Sequence, residues 1–583
     1  MKKFALPIVL LASLLGISAC QTVTDPSTEK PTETSETDTE TLSQSETDIS
    51  TETETASETE STTETDTSSE TTEPEVVFVT SVSLNEKSKT INVGDEFTLN
   101  ATVLPSNATN KNLTWKSSNT SVATVTNGKV KGVSKGSTTI TVTTVDGKKT
   151  SSCAVAVNQP AADEADYTIL IYLCGSDLES GYDPDTKKTN TQSAGLATLN
   201  LKEILSVNIP SNINIAIETG GARAWASSGL GIKNDKIGRW HVEGKSLVND
   251  EQLTKASMGT SSTFQSFMEW GLKTYPAKKT GLIFWNHGGA TDGCCNDEWY
   301  NSPYGDSLTA KEYKTGLEAA LKNVGQTEKL EWVGYDCCLM QFQDLAAYNA
   351  EHFNYMVASQ ETEPGEGWDY DNWIDDIVAN PKIESSELLG EIADTFVKKC
   401  EDSNKEYADY LQEILDAGYA EYYGYTEEEL REEIAFYRDY NDGTLSVLDL
   451  SKMDAYVEAW ESMTTKLSIT SSSKWSSLKK IILQSQQFGY YDDDYGYAYD
   501  VYDTDDFLNN LQKSSTFKSC GADTVLAALN ELVIHNTVGK DSAGACGLCF
   551  VAKVNGYANL NNISSFSAFS SWLKINQTYG SSY

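Results

Sequence analysis

The chain has 583 residues, 44 Lys and Arg against 85 Asp and Glu, a formal net charge of −41 and four His. That length calls for more than one domain, and the acid excess excludes a nucleic-acid or anionic-membrane binder, whose contacts need Lys and Arg. Eleven Cys are too few for a scaffold built on disulfides, and four scattered His do not make a multi-His metal centre.

In residues 1–20, Lys2 and Lys3 precede an apolar run from Phe4 to Leu15, and small residues lead on to Cys20. This is the pattern of a secretory signal peptide. Ile17-Ser18-Ala19-Cys20 resembles the lipobox of bacterial lipoproteins. The resemblance implies a diacylated Cys20 and a stable anchor to the outer face of a bacterial cell membrane. Residues 21–75 hold 17 acidic side chains against one Lys, set among Thr and Ser with almost no apolar residue. Nothing there offsets the entropy of folding, and like charges extend the chain, so a disordered tether is expected.

Residues 76–158 change texture to short alternating runs such as Phe97–Val103, Ser121–Val125 and Thr138–Thr143, separated by Gly, Asn and Asp. Period-two alternation with close turn signals predicts an antiparallel β-sandwich. Val93-Gly94-Asp95, Trp115–Asn119 and Gly128–Val133 resemble the bacterial Ig-like domain, group 2, which implies a spacer or an adhesive unit.

From 165 to 583 strand and helix alternate. Tyr167–Leu173 is a buried-strand run, and Leu196, Leu199, Ile204 and Leu205 mark a helix. Ile213–Glu218 is a strand, Phe264, Met268 and Leu272 a helix, and Gly281–Trp285 a strand. A helix over 308–321, strand Leu330–Tyr335, helix 342–348 and strand Tyr355–Ala358 follow. Continuous apolar strands alternating with helices predict an α/β domain with a mostly parallel sheet covered on both faces. Chemistry in such sheets gathers at the carboxyl ends of the strands.

Two of those ends carry reactive groups. One strand runs into Asn286-His287-Gly288-Gly289 and another into Asp336-Cys337-Cys338-Leu339-Met340. An imidazole beside a thiol lowers its effective pKa and can later protonate a leaving amine, and glycines let backbone N–H groups approach an oxyanion. The other three His lack that setting: His241 lies in a predicted strand, His352 at a helix end and His535 in a predicted helix.

These residues resemble the clostripain family of cysteine peptidases, within the caspase–gingipain superfamily. The match rests on Trp285–Gly289 and Asp336–Met340, supported by Ile171–Glu179 and Ser359–Trp368. It implies Cys338 as nucleophile, His287 as acid/base partner, and the backbone N–H groups of Gly288 and Cys338 as oxyanion hole. Asp336 would lie at the base of the pocket for the residue before the scissile bond and select Arg or Lys there. Protein or peptide substrates with basic residues follow, and the net acidity of the folded part favours them. Two departures stand out: Cys337 replaces the usual Ala, and the His–Cys loop 290–307 has no Lys or Arg for self-cleavage after a basic residue. Intact-mass measurement should therefore show no cut within 290–307.

Weaker signals complete the reading. Gly293–Trp299 lacks the following helix that a papain-like nucleophile needs. Cys294, Cys295 and Cys337 are candidate disulfide partners whose pairing the sequence leaves open. Cys546 and Cys549, within a strand-like run, fall on opposite faces. No cofactor is needed for the chemistry. The resemblance associates calcium with such enzymes, and Asp492–Asp494, Asp500, Asp503, Asp505 and Asp506 are its oxygen-rich candidates. The competing function is a surface adhesion protein whose caspase-like domain is catalytically idle.

Overall fold

The computed structural model describes residues 75–158, 164–184, 186–192, 194–226, 229–301, 305–490, 498–552 and 568–579. The signal peptide, Cys20 and residues 21–74 lie outside them. The described residues form two units, one on each side of residues 159–163. No helix among them is long and apolar enough to cross a membrane.

In the first unit, alternation puts Val82, Leu84, Ile140, Val142, Val155 and Val157 into one core while their neighbours face solvent, as a two-layer β-unit requires. Its largest sheet runs Ser88–Asn92, Thr150–Asn158, Gly136–Thr144, Leu113–Ser117. The pairing is antiparallel except between Ser88–Asn92 and Thr150–Asn158, which run parallel. A three-stranded sheet (Glu96–Thr98, Lys129–Gly132, Ala123–Thr126) and the pair Ser81–Leu84 with Ala101–Leu104 complete it.

The second unit is built on a nine-stranded sheet. Its strands in chain order are β1 (Ala165–Cys174), β2 (Ile213–Gly220), β3 (Lys236–Glu243), β4 (Ser246–Thr254), β5 (Ala277–Trp285), β6 (Leu330–Asp336), β7 (Phe353–Ala358), β8 (Thr444–Asp449) and β9 (Val533–Val538). The spatial order is β4-β3-β2-β1-β5-β6-β7-β8-β9. The five central strands β2, β1, β5, β6 and β7 are parallel, as their unbroken apolar runs require. Both flanks are antiparallel. Gly244, at φ +60°, turns β3 into β4, and β4 carries Asn249-Asp250-Glu251-Gln252, a polar edge that resists pairing with another chain.

Both faces of the sheet are buried. On β1, Ile169, Ile171 and Leu173 enter one core with Ile283, Trp285 and Trp332, covered by helices Leu196–Ser206, Tyr370–Ala379 and Ser385–Asp416. Leu170 and Tyr172 enter the other with Leu282, Phe284 and Tyr335, covered by helices Ser261–Thr274, Ala310–Val324 and Gln343–Asn349. Each buried Leu, Ile or Phe contributes roughly 1.5–3 kcal/mol by leaving water, so the central strands are the rigid part of the domain.

Two local expectations need correction. His535 lies in β9, not in a helix; its ring bonds Asp394 (2.9 Å) on helix Ser385–Asp416. Its flanking residues Val533, Ile534 and Val538 are apolar at both periods, so sequence alone misassigns the segment. Cys546 precedes strand Cys549–Val551 rather than sharing it, because Gly547 turns the chain at φ +87°.

Candidate active site

The parallel centre brings three chain segments to one edge. β1, β5 and β6 are adjacent, and their carboxyl ends lead into Asp177, His287 and Cys338. Asn286 fastens this edge: its side-chain NH2 donates to the carbonyl of Cys174 at the end of β1 (2.7 Å), and its N–H donates to the carbonyl of Asp336 at the end of β6 (3.3 Å). Its side-chain oxygen accepts from the N–H of Asn296 (2.6 Å). A wrong residue at 286 would therefore loosen three segments together.

His287 follows directly. Its Nε2 bonds Oδ1 of Asp177 at 2.8 Å, while its Nδ1 is buried with no hydrogen-bond partner. Burial pulls the imidazole pKa down, but the Asp177 charge and hydrogen bond, joined by Cys338, outweigh it and leave the pKa raised. On Asp177 burial acts upward, and the His287 charge and hydrogen bond override it, bringing the carboxyl down to about 2. Asp177 stands in the short helix Ser176–Ser180, where the hydroxyl of Ser176 also donates to Oδ1 (2.7 Å).

After β6, Leu339 takes φ +63°, a left-handed conformation that costs a non-glycine residue energy and turns the chain sharply at the nucleophile. The turn is strapped to the segment after β7: the N–H of Leu339 donates to the Glu361 carbonyl (3.1 Å) and that of Gln341 to the Ser359 carbonyl (2.9 Å). The Glu363 N–H in turn donates to Sγ of Cys338 (3.3 Å), a contact that favours sulfur carrying negative charge. Gly288 presses against this loop. A Cβ there would sit 2.2 Å from the Cys338 carbonyl oxygen, so glycine alone lets the two strand ends meet.

Beside Cys338 lies a small cavity lined by Leu178, Trp285, Asp336, Cys338, Glu363 and Gly365. Asp336 is 4% exposed; its Oδ2 accepts from the Trp368 N–H (3.2 Å) and the Tyr370 hydroxyl (2.9 Å). Burial raises its carboxyl to about 6 despite those bonds. Gly367, at φ +62°, lies so close that a Cβ would stand 2.8 Å from Oδ2. Glu363 lies beside Asp336 with its carboxyl in hydrogen-bond contact with Asp336 and the Trp368 side chain, and burial, then the Asp336 charge, pushes that carboxyl well above the ordinary value. Two carboxyls buried side by side resist ionising together, and of the pair Glu363 is held further toward its protonated form.

The structure thus brings together His287, Gly288, Asp336 and Cys338 from the sequence reading, and Cys20 lies outside the described residues. Asp177 and Glu363 were missed as site residues. A signal existed for each: both fall within motifs already singled out, three and five residues past the ends of β1 and β7. Cys337 turns away from Cys338, its Sγ donating to the Phe284 carbonyl (3.5 Å).

The remaining candidates settle elsewhere. Asp503 caps helix Thr504–Lys513 and accepts from the Cys546 N–H (2.7 Å), and Asp506 accepts from the Gln486 N–H (2.9 Å). Among the described residues no group of three or more His, Cys, Asp or Glu is arranged to hold a metal ion. Asp492–Asp494 and the Asp500 side chain lie outside the described residues. In the 290–307 loop Cys294–Asp297 pairs antiparallel with Asp306–Leu308 as a hairpin, and residues 302–304 lie outside the described residues. Lys311 and Lys314 stand in helix Ala310–Val324.

The clostripain family profile matches residues 190–566, well over half of the chain. The chain belongs to the clostripain family of cysteine peptidases. A second profile, the bacterial Ig-like domain (group 2), matches residues 78–155. Among solved structures, a secreted C11 cysteine protease from Bacteroides thetaiotaomicron, "iotapain", is 15% identical and aligns over 70% of this chain and 99% of its own, with TM-score 0.46. An inactive zymogen C11 protease from Parabacteroides distasonis is likewise 15% identical, over 70% of this chain and 98% of its own, with TM-score 0.42. Among curated proteins, the Ig-like virion protein of Serratia phage KSP90 is 52% identical over 85 residues, 14% of this chain and 33% of that protein. The kappa-carrageenase of Pseudoalteromonas carrageenovora is 46% identical over 83 residues, 14% of this chain and 21% of that enzyme. The chain spans no more than a third of the length of either curated relative.

Proposed function

We propose that this clostripain-family chain is an endopeptidase, anchored outside a bacterial cell through Cys20, that cuts after Arg or Lys using Cys338, His287 and Asp177. The observation that carries the reading is His287 itself. Asp177 occupies Nε2, leaving the buried Nδ1 as the nitrogen available to exchange a proton with the thiol, at the strand end next to that of Cys338. Nδ1 takes the Cys338 proton and the thiolate attacks the scissile carbonyl. The tetrahedral oxyanion turns toward the N–H groups of Gly288 and Cys338, and the imidazolium returns its proton to the leaving amine. Water then attacks the thioester with His287 as base, releasing the acid and restoring the thiol. A Cys338 alkylated by an Arg-peptide chloromethyl ketone, with no modification at Cys337, is the expected result of active-site labelling.

The Asp336–Glu363 cavity supports basic specificity. A buried carboxylate beside a second buried carboxyl is best satisfied by a cation with several donors. Asp336→Asn keeps an acceptor for Trp368 and Tyr370 and removes the charge. The kcat/KM advantage of Arg over a neutral residue before the scissile bond should fall by about 10²-fold or more, read by a peptide-library cleavage profile. A preference unchanged in Asp336→Asn would overturn this assignment.

Acid should act on the same group. Because burial raises the Asp336 carboxyl to about 6, it is protonated below that pH and the cavity loses its charge. Protonation of His287 lowers kcat/KM in acid for every substrate, but for an Arg substrate the fall below about pH 6 should be steeper by about a further tenfold per pH unit than for a neutral substrate, and Asp336→Asn should lose that difference.

A further inference from the structure

Beneath the two catalytic loops lies a cluster of thiols that peptide hydrolysis does not use. Cys294 opens the hairpin after His287 and bridges backward to Gly288, and its thiol interacts with those of Cys295 and Cys337, which share its core. Cys337 approaches from the other strand end: a Cβ on Gly288 would stand 3.0 Å from the Cys337 side chain. The hairpin and the nucleophile loop therefore meet at these sulfurs. All three are reduced and buried, and Cys337 stands where the family's motif has Ala, so the contact is a feature of this chain.

We propose that Cys294 and Cys337 close into a reversible disulfide, and that closing it lowers turnover by drawing the Cys338 backbone toward the hairpin. Cys295 is the poorer partner for Cys294. Neighbouring Cα atoms across a trans peptide are about 3.8 Å apart, short of the 4.4–6.8 Å that a disulfide prefers. Cys294 is the attacking sulfur: its place between Cys295 and Cys337 holds its thiol below the usual range, while burial pushes those of Cys295 and Cys337 up. With a small disulfide such as oxidised glutathione as oxidant, the Cys294 thiolate attacks one sulfur and releases one thiol. Cys337, giving up its proton, then attacks the Cys294 sulfur and releases the second. Two protein thiols are oxidised and one external disulfide is reduced to two thiols. Bond formation pulls the two sulfurs together by more than about an ångström relative to non-bonded contact. Cys337 shares its peptide bond with the nucleophile, so the displacement reaches Cys338.

The test equilibrates the full chain for hours in glutathione buffers from reducing to oxidising, traps free thiols by alkylation and maps peptides without reduction. Activity on an Arg reporter peptide is read in parallel; this arm rests on the peptidase reading, whereas the cross-link map does not. The expected result is a Cys294–Cys337 cross-link with a loss of activity of about tenfold or more, restored by dithiothreitol. Cys294→Ala should keep its activity in the oxidising buffer. A Cys294–Cys295 link, or no link at all, would overturn the proposal. Equal loss in Cys294→Ala and the parent would also overturn it, by locating the oxidation at Cys338. A chain inactive in every buffer would instead count against the peptidase reading, with the map still deciding the bond.

Discussion

Replacing Cys338 with alanine is expected to lower kcat by roughly 10⁴- to 10⁶-fold while leaving the binding of an uncleaved substrate analogue intact. The size of the effect follows from the role: without the sulfur no thioester forms, and only binding and the oxyanion donors remain. No neighbouring thiol can substitute. Cys337 shares a peptide bond with Cys338 but donates to the Phe284 carbonyl and contacts Cys294, on the side away from the Glu363 N–H that holds the Cys338 sulfur. The substitution removes one buried sulfur, so the cost in stability should be about 1 kcal/mol, too little to unfold the domain. Single-turnover assays with a circular dichroism control measure the effect. Retention of kcat within tenfold of the parent would place the nucleophile elsewhere.

Asp177→Asn should lower kcat by about 10²- to 10³-fold. An Asp-to-Asn change in a fully buried serine-protease triad costs about 10⁴-fold; the smaller figure here reflects exposure, since the Asp177 side chain is 39% open to solvent and His287 12%. Water can partly replace the lost carboxylate at Nε2. The pH profile separates this role from a merely structural one. Asp177 raises the His287 pKa against the downward pull of burial. Removing its charge leaves burial less opposed, and the imidazolium gives up its proton at lower pH. His287 must be neutral to take the thiol proton, so the acid limb of kcat/KM should move to lower pH in Asp177→Asn. An acid limb that stays in place while kcat falls would assign Asp177 to folding rather than to the imidazole.

The two effects differ in how visible their residues were. His287 and Cys338 were legible because each closely follows a largely apolar run, Gly281–Trp285 and Leu330–Tyr335, and in a parallel sheet such runs end at one edge. Glycine after the His was legible too, although its reason, the approach of Gly288 to the Cys338 carbonyl, is a distance between segments 50 residues apart. Asp177 was quoted within a motif and given no role. It lies 110 residues before His287, and no local periodicity says that β1 sits beside β5. Glu363 was hidden in the same way: its place beside Asp336 depends on β7 lying next to β6.

The chain by itself determined the local states. Alternation in 76–158, apolar runs and helical periods beyond 165, and reactive residues at strand ends all follow from short-range patterning, which is what the backbone repeats of 2 and 3.6 residues encode. Fold class was within reach on that basis, and the family through the resemblance carried by Trp285–Gly289 and Asp336–Met340. Tertiary structure decided the neighbours. The antiparallel flanks, the strand status of His535, the partner on Nε2 of His287, the carboxyl beside Asp336 and the thiols beneath the nucleophile all depend on which strands lie side by side. That order is fixed by burying two faces of one sheet at once, a long-range condition that no window of the sequence contains.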